Sequence, residues 1–247
     1  MLSRNFRLQK IGDFEWLNKH YNFSKIAFSI DELIILNVSR GDKKNIEFSS
    51  TIQNIIGSVF IPVSIGGGIS NIDDAKLLMD SGADKLVLNS ALYNDRYFVE
   101  YLIKVYGSQC IVASIDFKEK NGELIVFIEN GTKQISMCLS NYIDYVEDIG
   151  VGEIYLNSID KDGTGQGYNL KALDDILNKL NIPVIMSGGA GNFKHFASAL
   201  EYETVDAVAT ANLLNFIGDG LPSSRKSLLE NGYNFAKWKE SVFLYQN

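Results

Sequence analysis

The sequence predicts an α/β fold of the (β/α)8 TIM-barrel class, built from two similar half-barrels. Three observations carry this. Apolar runs rich in Val, Ile and Leu alternate with amphipathic stretches along 247 residues, as expected of parallel strands covered on both faces by helices. The chain repeats itself: "IPVSIGGGIS" (61–70) returns as "IPVIMSGGAG" (182–191), which places Pro62 with Pro183, Gly67 with Gly188, Gly68 with Gly189 and Asn71 with Asn192 at one spacing of 121. In both copies glycines stand where an apolar run ends. A doubly wound open sheet would also alternate strands and helices, but gives no reason for the second half to mirror the first.

Taken in order, the predicted strands are 3–9, 32–38, 61–65, 85–89, 110–115, 153–158, 182–186 and 206–210. The helical patterns between them cover 46–57, 72–81, 95–106, 139–149, 170–180 and 192–201, with a last one from about 223. The repeat extends to these neighbours. "DELIILNVSRG" (31–41) matches "GEIYLNSIDKD" (152–162), with Glu32 on Glu153, and "ADKLVLNSAL" (83–92) matches "VDAVATANLL" (205–214) after a one-residue slip. One domain over 1–247 follows, with half-barrels of about 1–109 and 110–247.

Composition sets outer bounds. Apolar residues make up 46% of the chain, enough for a sizeable core. The net charge of −7, with acids and bases interspersed, argues against a nucleic-acid surface. Two histidines and two cysteines make a structural metal site a poor fit, and no cofactor motif stands out. Cys110 and Cys138 read as small buried hydrophobes. The polar start "MLSRNFRLQK" is no secretory signal and no run is long enough to span a membrane, so a cytoplasmic protein is expected.

In such a barrel the functional face lies at the C-terminal ends of the strands. Gly66, Gly67 and Gly68 end the third predicted strand, and Gly188 and Gly189 the seventh. Lacking Cβ, they let backbone N–H groups approach an anion, and each following helix adds its positive end. Asn89 and Ser90 end the neighbouring strand of the first set, Ala211 and Asn212 that of the second. Two phosphate cradles across one mouth suit a substrate with a phosphate at each end. Glycines that only permit tight turns are the plainer reading, which the duplication disfavours. In the loop "NSIDKDGTGQGY" (157–168), Asp160, Asp162, Gly163 and Thr164 make a polar stretch at the functional face, and Gly163 and Thr164 lie near enough to join the second cradle; an ordinary Asp-Gly turn is the weaker reading. Asp116 ends the strand "CIVASID", where it reads either as a solvated acid capping the next turn or, the favoured reading, as a partly desolvated carboxylate that passes protons. At the opposite end Glu32, Lys85 and Glu153 each begin an apolar strand. Phase alone leaves them inside or outside. The repeat favours an inward ring of mutually paired charges at the barrel floor, with Arg4 or Arg7 completing the neutralisation.

The motifs "PVSIGGGI", "GADKLVLNSA", "GSQCIVASID", "GEIYLNSIDKDGTGQGY" and "PVIMSGGAGNFKHF" resemble the cyclase (HisF-type) subunit of imidazole glycerol phosphate synthase, over nearly the whole chain from about Asp31. The resemblance implies a barrel that takes ammonia from a HisH-type glutaminase docked at its floor and delivers it to a bisphosphorylated substrate. It implies that Glu32, Lys85 and Glu153 match three of four gate charges, Asp84 a partner-facing acid, and Asp116 one of two catalytic aspartates. It also implies one phosphate site at Gly67, Gly68, Asn89 and Ser90, and another on or beside Asp162, Gly163, Gly188, Gly189, Ala211 and Asn212.

The departures are as specific. The family's first catalytic aspartate falls here on Gln9 or Ile11, and the nearby Asp13 is displaced. Asn37 replaces a strand aspartate, Ser90 a threonine and Asn212 a serine. Retention of the gate with loss of a carboxylate is similar to HisF-like paralogues of bacterial surface-sugar pathways, thought to supply ammonia to a separate sugar amidotransferase. A non-catalytic scaffold that activates the glutaminase is the third reading.

Overall fold

A computed structural model describes residues 2–4, 6–9, 15–16, 23–41, 43, 45–174, 180–211 and 220–237. Its frame is one curled sheet. Seven strands run parallel in the order β11–β10–β9–β6–β5–β4–β3. These are β3 (Leu33–Leu36), β4 (Val63–Gly66), β5 (Lys85–Leu88), β6 (Ile111–Lys120), β9 (Glu153–Ser158), β10 (Val184–Ser187) and β11 (Ala207–Val208). Helices alternate with them: α1 (Phe23–Ile26), α2 (Asn45–Ile56), α3 (Ile72–Asp80), α4 (Ser90–Asn94), α5 (Arg96–Tyr106), α6 (Leu139–Ile149), α7 (Lys171–Asp174), α8 (Phe193–Leu200) and α9 (Gly220–Glu230). This is the α/β (β/α)8 TIM-barrel class that the alternation and the repeat predict.

The strands have two faces of different character. Ile65, Leu86, Leu88, Ile115, Leu156 and Met186 are buried in one hydrophobic core together with Leu78, Leu102 and Val146 of the helices. The alternate positions, Asn89, Ser114, Asp116, Glu153, Tyr155, Asn157 and Ser187, line an interior cavity of about 1260 Å3. Period-two alternation puts these two sets on opposite faces. The core therefore lies mainly between sheet and helices, while the cavity along the axis sets these polar groups among apolar ones such as Val87 and Ile185.

The duplication is visible in the caps. Asn71 begins α3 and its side chain accepts from Asp74 N; Asn192 begins α8 and accepts from Lys194 N and His195 N. Each satisfies first-turn donors that lack a partner within the helix. Asp84 accepts from Val63 N at 2.8 Å, and Asp206 accepts from Val184 N at 3.0 Å, so each half ties one strand to the start of its neighbour in the same way.

Three expectations change. Residues 2–9 do not run as one barrel strand. β1 (Leu2–Arg4) and β2 (Arg7–Gln9) pair antiparallel about Phe6, whose φ is 59°. Phe6 N donates to Asp162 at 3.4 Å and Arg40 donates to Phe6 O, so this hairpin turns at the glycine-bearing end of the sheet. Arg7 is exposed there and does not complete the floor charges. Second, β6 is longer than predicted and continues into β7 (Glu123–Ile128) and β8 (Lys133–Cys138), an antiparallel extension. Its signal stood in the sequence: Asn121–Gly122 makes a two-residue turn with φ of 53° and 86°, the left-handed pair a tight hairpin needs. Third, Cys110 is half-buried and Cys138 exposed, because Cys138 sits at the start of α6 rather than within a packed face.

Candidate functional site

The interior cavity reaches both ends of the sheet. Glu32, Glu153 and Asp206 line it at one end; Gly67, Gly68, Gly188 and Gly189 line it at the other. On β9 the inward positions Glu153, Tyr155 and Asn157 stand at three heights, about 13 Å from first to last at ordinary strand rise.

At the floor Lys85 Nζ lies 3.0 Å from Glu32 Oε2 and 2.9 Å from Glu153 Oε2. Ser64 donates to the other Glu32 oxygen. The three charged side chains are 15–25% exposed, so the cluster is neither sealed nor freely hydrated. Burial works against the Lys85 charge, but hydrogen bonds and attraction from Glu153 and Glu32 outweigh it and hold its pKa above the usual lysine value. Burial raises Glu153, against the pull of Lys85, and the charges of Glu32 and Asp206 add to the rise. One lysine thus bridges two carboxylates that would otherwise repel each other. Asp84, beside them in sequence, is exposed and spends one oxygen on Val63 N.

Midway, Tyr155 Oη and Ser187 Oγ lie 2.6 Å apart. Burial pushes the Tyr155 phenol up to about 12, and the Ser187 hydrogen bond only partly opposes this, so it remains a neutral hydroxyl in the cavity.

At the mouth Asp116 is 8% exposed. Its two oxygens are held by two amides: Asn157 Nδ2 donates to Oδ1 at 3.0 Å and Asn89 Nδ2 to Oδ2 at 3.3 Å. The β6–β9 register sets Asp116 directly beside Asn157, and Asn89 is braced by Ser114 O at 2.9 Å. Burial pushes Asp116 up to about 7, Asn157 restrains the rise and the charge of Asp162 adds to it. A carboxyl that titrates near neutrality both donates and accepts protons. Sequence reasoning missed Asn157, whose signal was its phase: two residues beyond Tyr155 and four beyond Glu153, on the inward face of one strand.

Flanking Asp116, Gly67 and Gly68 have φ of 94° and 83°, and Gly188 and Gly189 86° and 112°. These are left-handed conformations that L side chains resist. A Cβ would also meet backbone, Asn37 O at 2.2 Å from Gly67 and Ser158 O at 2.5 Å from Gly188. Ser90, Asp162, Gly163 and Ala211 line the same cavity. The Asn89 amide faces Asp116 rather than the glycine turn. Ser90 Oγ accepts from Glu129 N at 3.0 Å. Thr164 donates to Lys161 O at 2.7 Å, closing its own turn. Asn212, Ile11 and Asp13 lie outside the described residues. Among the described residues, no group of three His, Cys, Asp or Glu is arranged to hold a metal ion, and no helix is long and apolar enough to cross a membrane.

Comparisons with known proteins agree with this architecture. A family described as histidine biosynthesis protein matches residues 18–217. A protein of Parasynechococcus marenigrum (strain WH8102), provisionally named imidazole glycerol phosphate synthase subunit hisF2, is 42% identical over 238 residues, 96% of this chain and 88% of the relative. Imidazole glycerol phosphate synthase subunits HisF of Hydrogenobaculum sp. (strain Y04AAS1) and Clostridium botulinum (strain Okra / Type B1) are 36% and 32% identical. Those matches span 81% and 92% of this chain, and 80% and 89% of the relatives. With the family match covering most of its length and relatives this similar along it, the chain belongs to the histidine biosynthesis protein family, in its group of HisF subunits and HisF-like paralogues.

Proposed function

We propose that the chain is the synthase subunit of a glutamine amidotransferase pair of the imidazole glycerol phosphate synthase type. In this reading it uses ammonia released by a HisH-type glutaminase docked at its floor. The observation that carries the reading is the Lys85 bridge between Glu32 and Glu153, placed at one end of a cavity whose other end is Asp116 between two glycine turns. A charged cluster inside a barrel floor contributes little to a core, because its desolvation offsets its attraction. It suits an opening that admits a small neutral amine. The amine then passes the Tyr155 and Ser187 hydroxyls. It reaches a substrate whose two phosphates occupy Gly67, Gly68 and Ser90 on one side and Gly163, Gly188, Gly189 and Ala211 on the other. Asp116 takes a proton from the attacking nitrogen and returns it to the leaving group, work that fits a pKa of about 7.

A second reading, ammonia supply for amidation of a bacterial surface sugar without cyclisation, is favoured by one observation. Gln9, one of two positions that the family resemblance gives to a first catalytic aspartate, lies in an antiparallel hairpin and not at the end of a barrel strand. Purified chain with a HisH-type glutaminase separates the readings. Turnover of the bisphosphorylated substrate of imidazole glycerol phosphate synthase with ammonium salts, and with glutamine only when the partner is present, is the expected result. Glutamine-dependent ammonia release without turnover of that substrate would shift the assignment to ammonia supply. Stimulated glutaminase with ammonia leaking directly to solvent would leave only a scaffold that activates its partner.

A further inference from the structure

We infer that the Lys43 ammonium is the cation that holds a phosphate group at the first glycine turn, an assignment that deepens the function proposed above and rests on it. Lys43 lines the cavity together with Gly67, Gly68 and Ser90. Its stem lies across Gly68: a Cβ there would stand 2.3 Å from Lys43 Cγ and 2.8 Å from Lys43 Cβ. The glycine at 68 therefore does more than allow a turn; it makes room for the lysine. Nζ donates to Ser39 O at 2.6 Å and to Asn37 O at 3.2 Å. Asn37 O is also the atom that a Cβ on Gly67 would strike, so the ammonium stands beside the backbone of the turn.

Both partners of Nζ are neutral carbonyls, and among the described residues no ion pair involves it. Burial lowers its pKa with no carboxylate to counter the shift. A half-buried cation without a counter-ion is poised to take one from a ligand. The neighbouring helix end does not supply the charge an anion needs. Asp74 in the first turn of α3 already accepts from Ser70 N at 3.1 Å, Asn71 Nδ2 at 2.8 Å and Asn45 Nδ2 at 2.7 Å, which offsets the positive helix end. The second glycine turn is packed differently: a Cβ on Gly189 would first meet the backbone carbonyl of Gly167, so no lysine stem takes the place there that Lys43 takes at Gly68.

The test is an amide chemical-shift titration of the full 15N-labelled chain with inorganic phosphate. Gly67, Gly68 and Ser90 report the first turn, and Gly188 and Gly189 the second. Both turns bind in the unaltered chain. Lys43→Gln weakens the first by about tenfold or more, the scale of one lost charge-assisted hydrogen bond, and leaves the second unchanged. Lys43→Arg keeps most of the affinity, and retained amide dispersion shows that both variants are folded. Equal affinity of Lys43→Gln at the first turn, or an equal loss at both turns, overturns the assignment while the phosphate reading of the turns stands. No shift at Gly67 and Gly68 in the unaltered chain at tens of millimolar phosphate overturns both.

Discussion

Asp116 is where a single side chain has the most measurable consequences. Its pKa of about 7 lies above the ordinary 3.8, and burial is the main cause. The folded chain therefore keeps this proton at pH values where the unfolded chain has released it. The stability this contributes is complete below about pH 4 and is lost as pH rises through 7. Asp116→Asn does not titrate, so its stability relative to the parent should rise between pH 5 and 8, by at most about 2.7 kcal/mol, in urea unfolding at the two pH values. The same variant should remove turnover while leaving the glutaminase complex intact. Asn157→Ala deletes the amide that favours the charged carboxylate. It should move the Asp116 titration upward, read as a displaced limb in the pH–rate profile or directly by carboxyl NMR; an unmoved titration would mean that Asn157 only fills space. Asp116 was legible in the sequence because it ends an apolar run. Its pairing with Asn89 and Asn157 was not, because strand register is a long-range property that no local pattern states.

Elements carry the duplication more plainly than residues do. The strands of the curled sheet were legible because their core-facing residues make short apolar runs; predicted 85–89 and 153–158 became Lys85–Leu88 and Glu153–Ser158. The hairpin misled because a short run rich in apolar and long side chains fits a strand of either topology. Only the pairing partner decides between them. Two tests belong at this scale. Asp84→Ala and Asp206→Ala each delete one tie between neighbouring strands. Each should cost about 1 kcal/mol in denaturant unfolding, and a silent Asp84→Ala would leave that residue with a purely surface role. Gly66→Ala brings a Cβ to 2.4 Å from Val87 O, backbone that cannot yield without parting β4 from β5. It should lose more than about 2 kcal/mol.

For the whole molecule the question is whether the cavity works as one passage. Lys85→Ala leaves Glu32 and Glu153 facing each other without their shared cation. Glutamine hydrolysis in the assembled pair should then separate from product formation, while ammonium-driven turnover stays near the parent rate. Full coupling in that variant would remove the floor cluster from the mechanism. The destabilisation should be larger at pH 8 than at pH 5, because protonation of Glu153, whose pKa burial raises, relieves the repulsion. By itself the sequence determined the strand–helix alternation, the internal repeat and the left-handed glycine turns, since each is written in local spacing and in what a missing Cβ permits. Only the tertiary structure decided which side of each strand faces the axis, that Glu32, Lys85 and Glu153 meet, that two amides grip Asp116, and that residues 2–9 fold back on themselves. Those outcomes depend on register and on the closing of chain segments far apart in sequence, and short-range patterning holds no term for either.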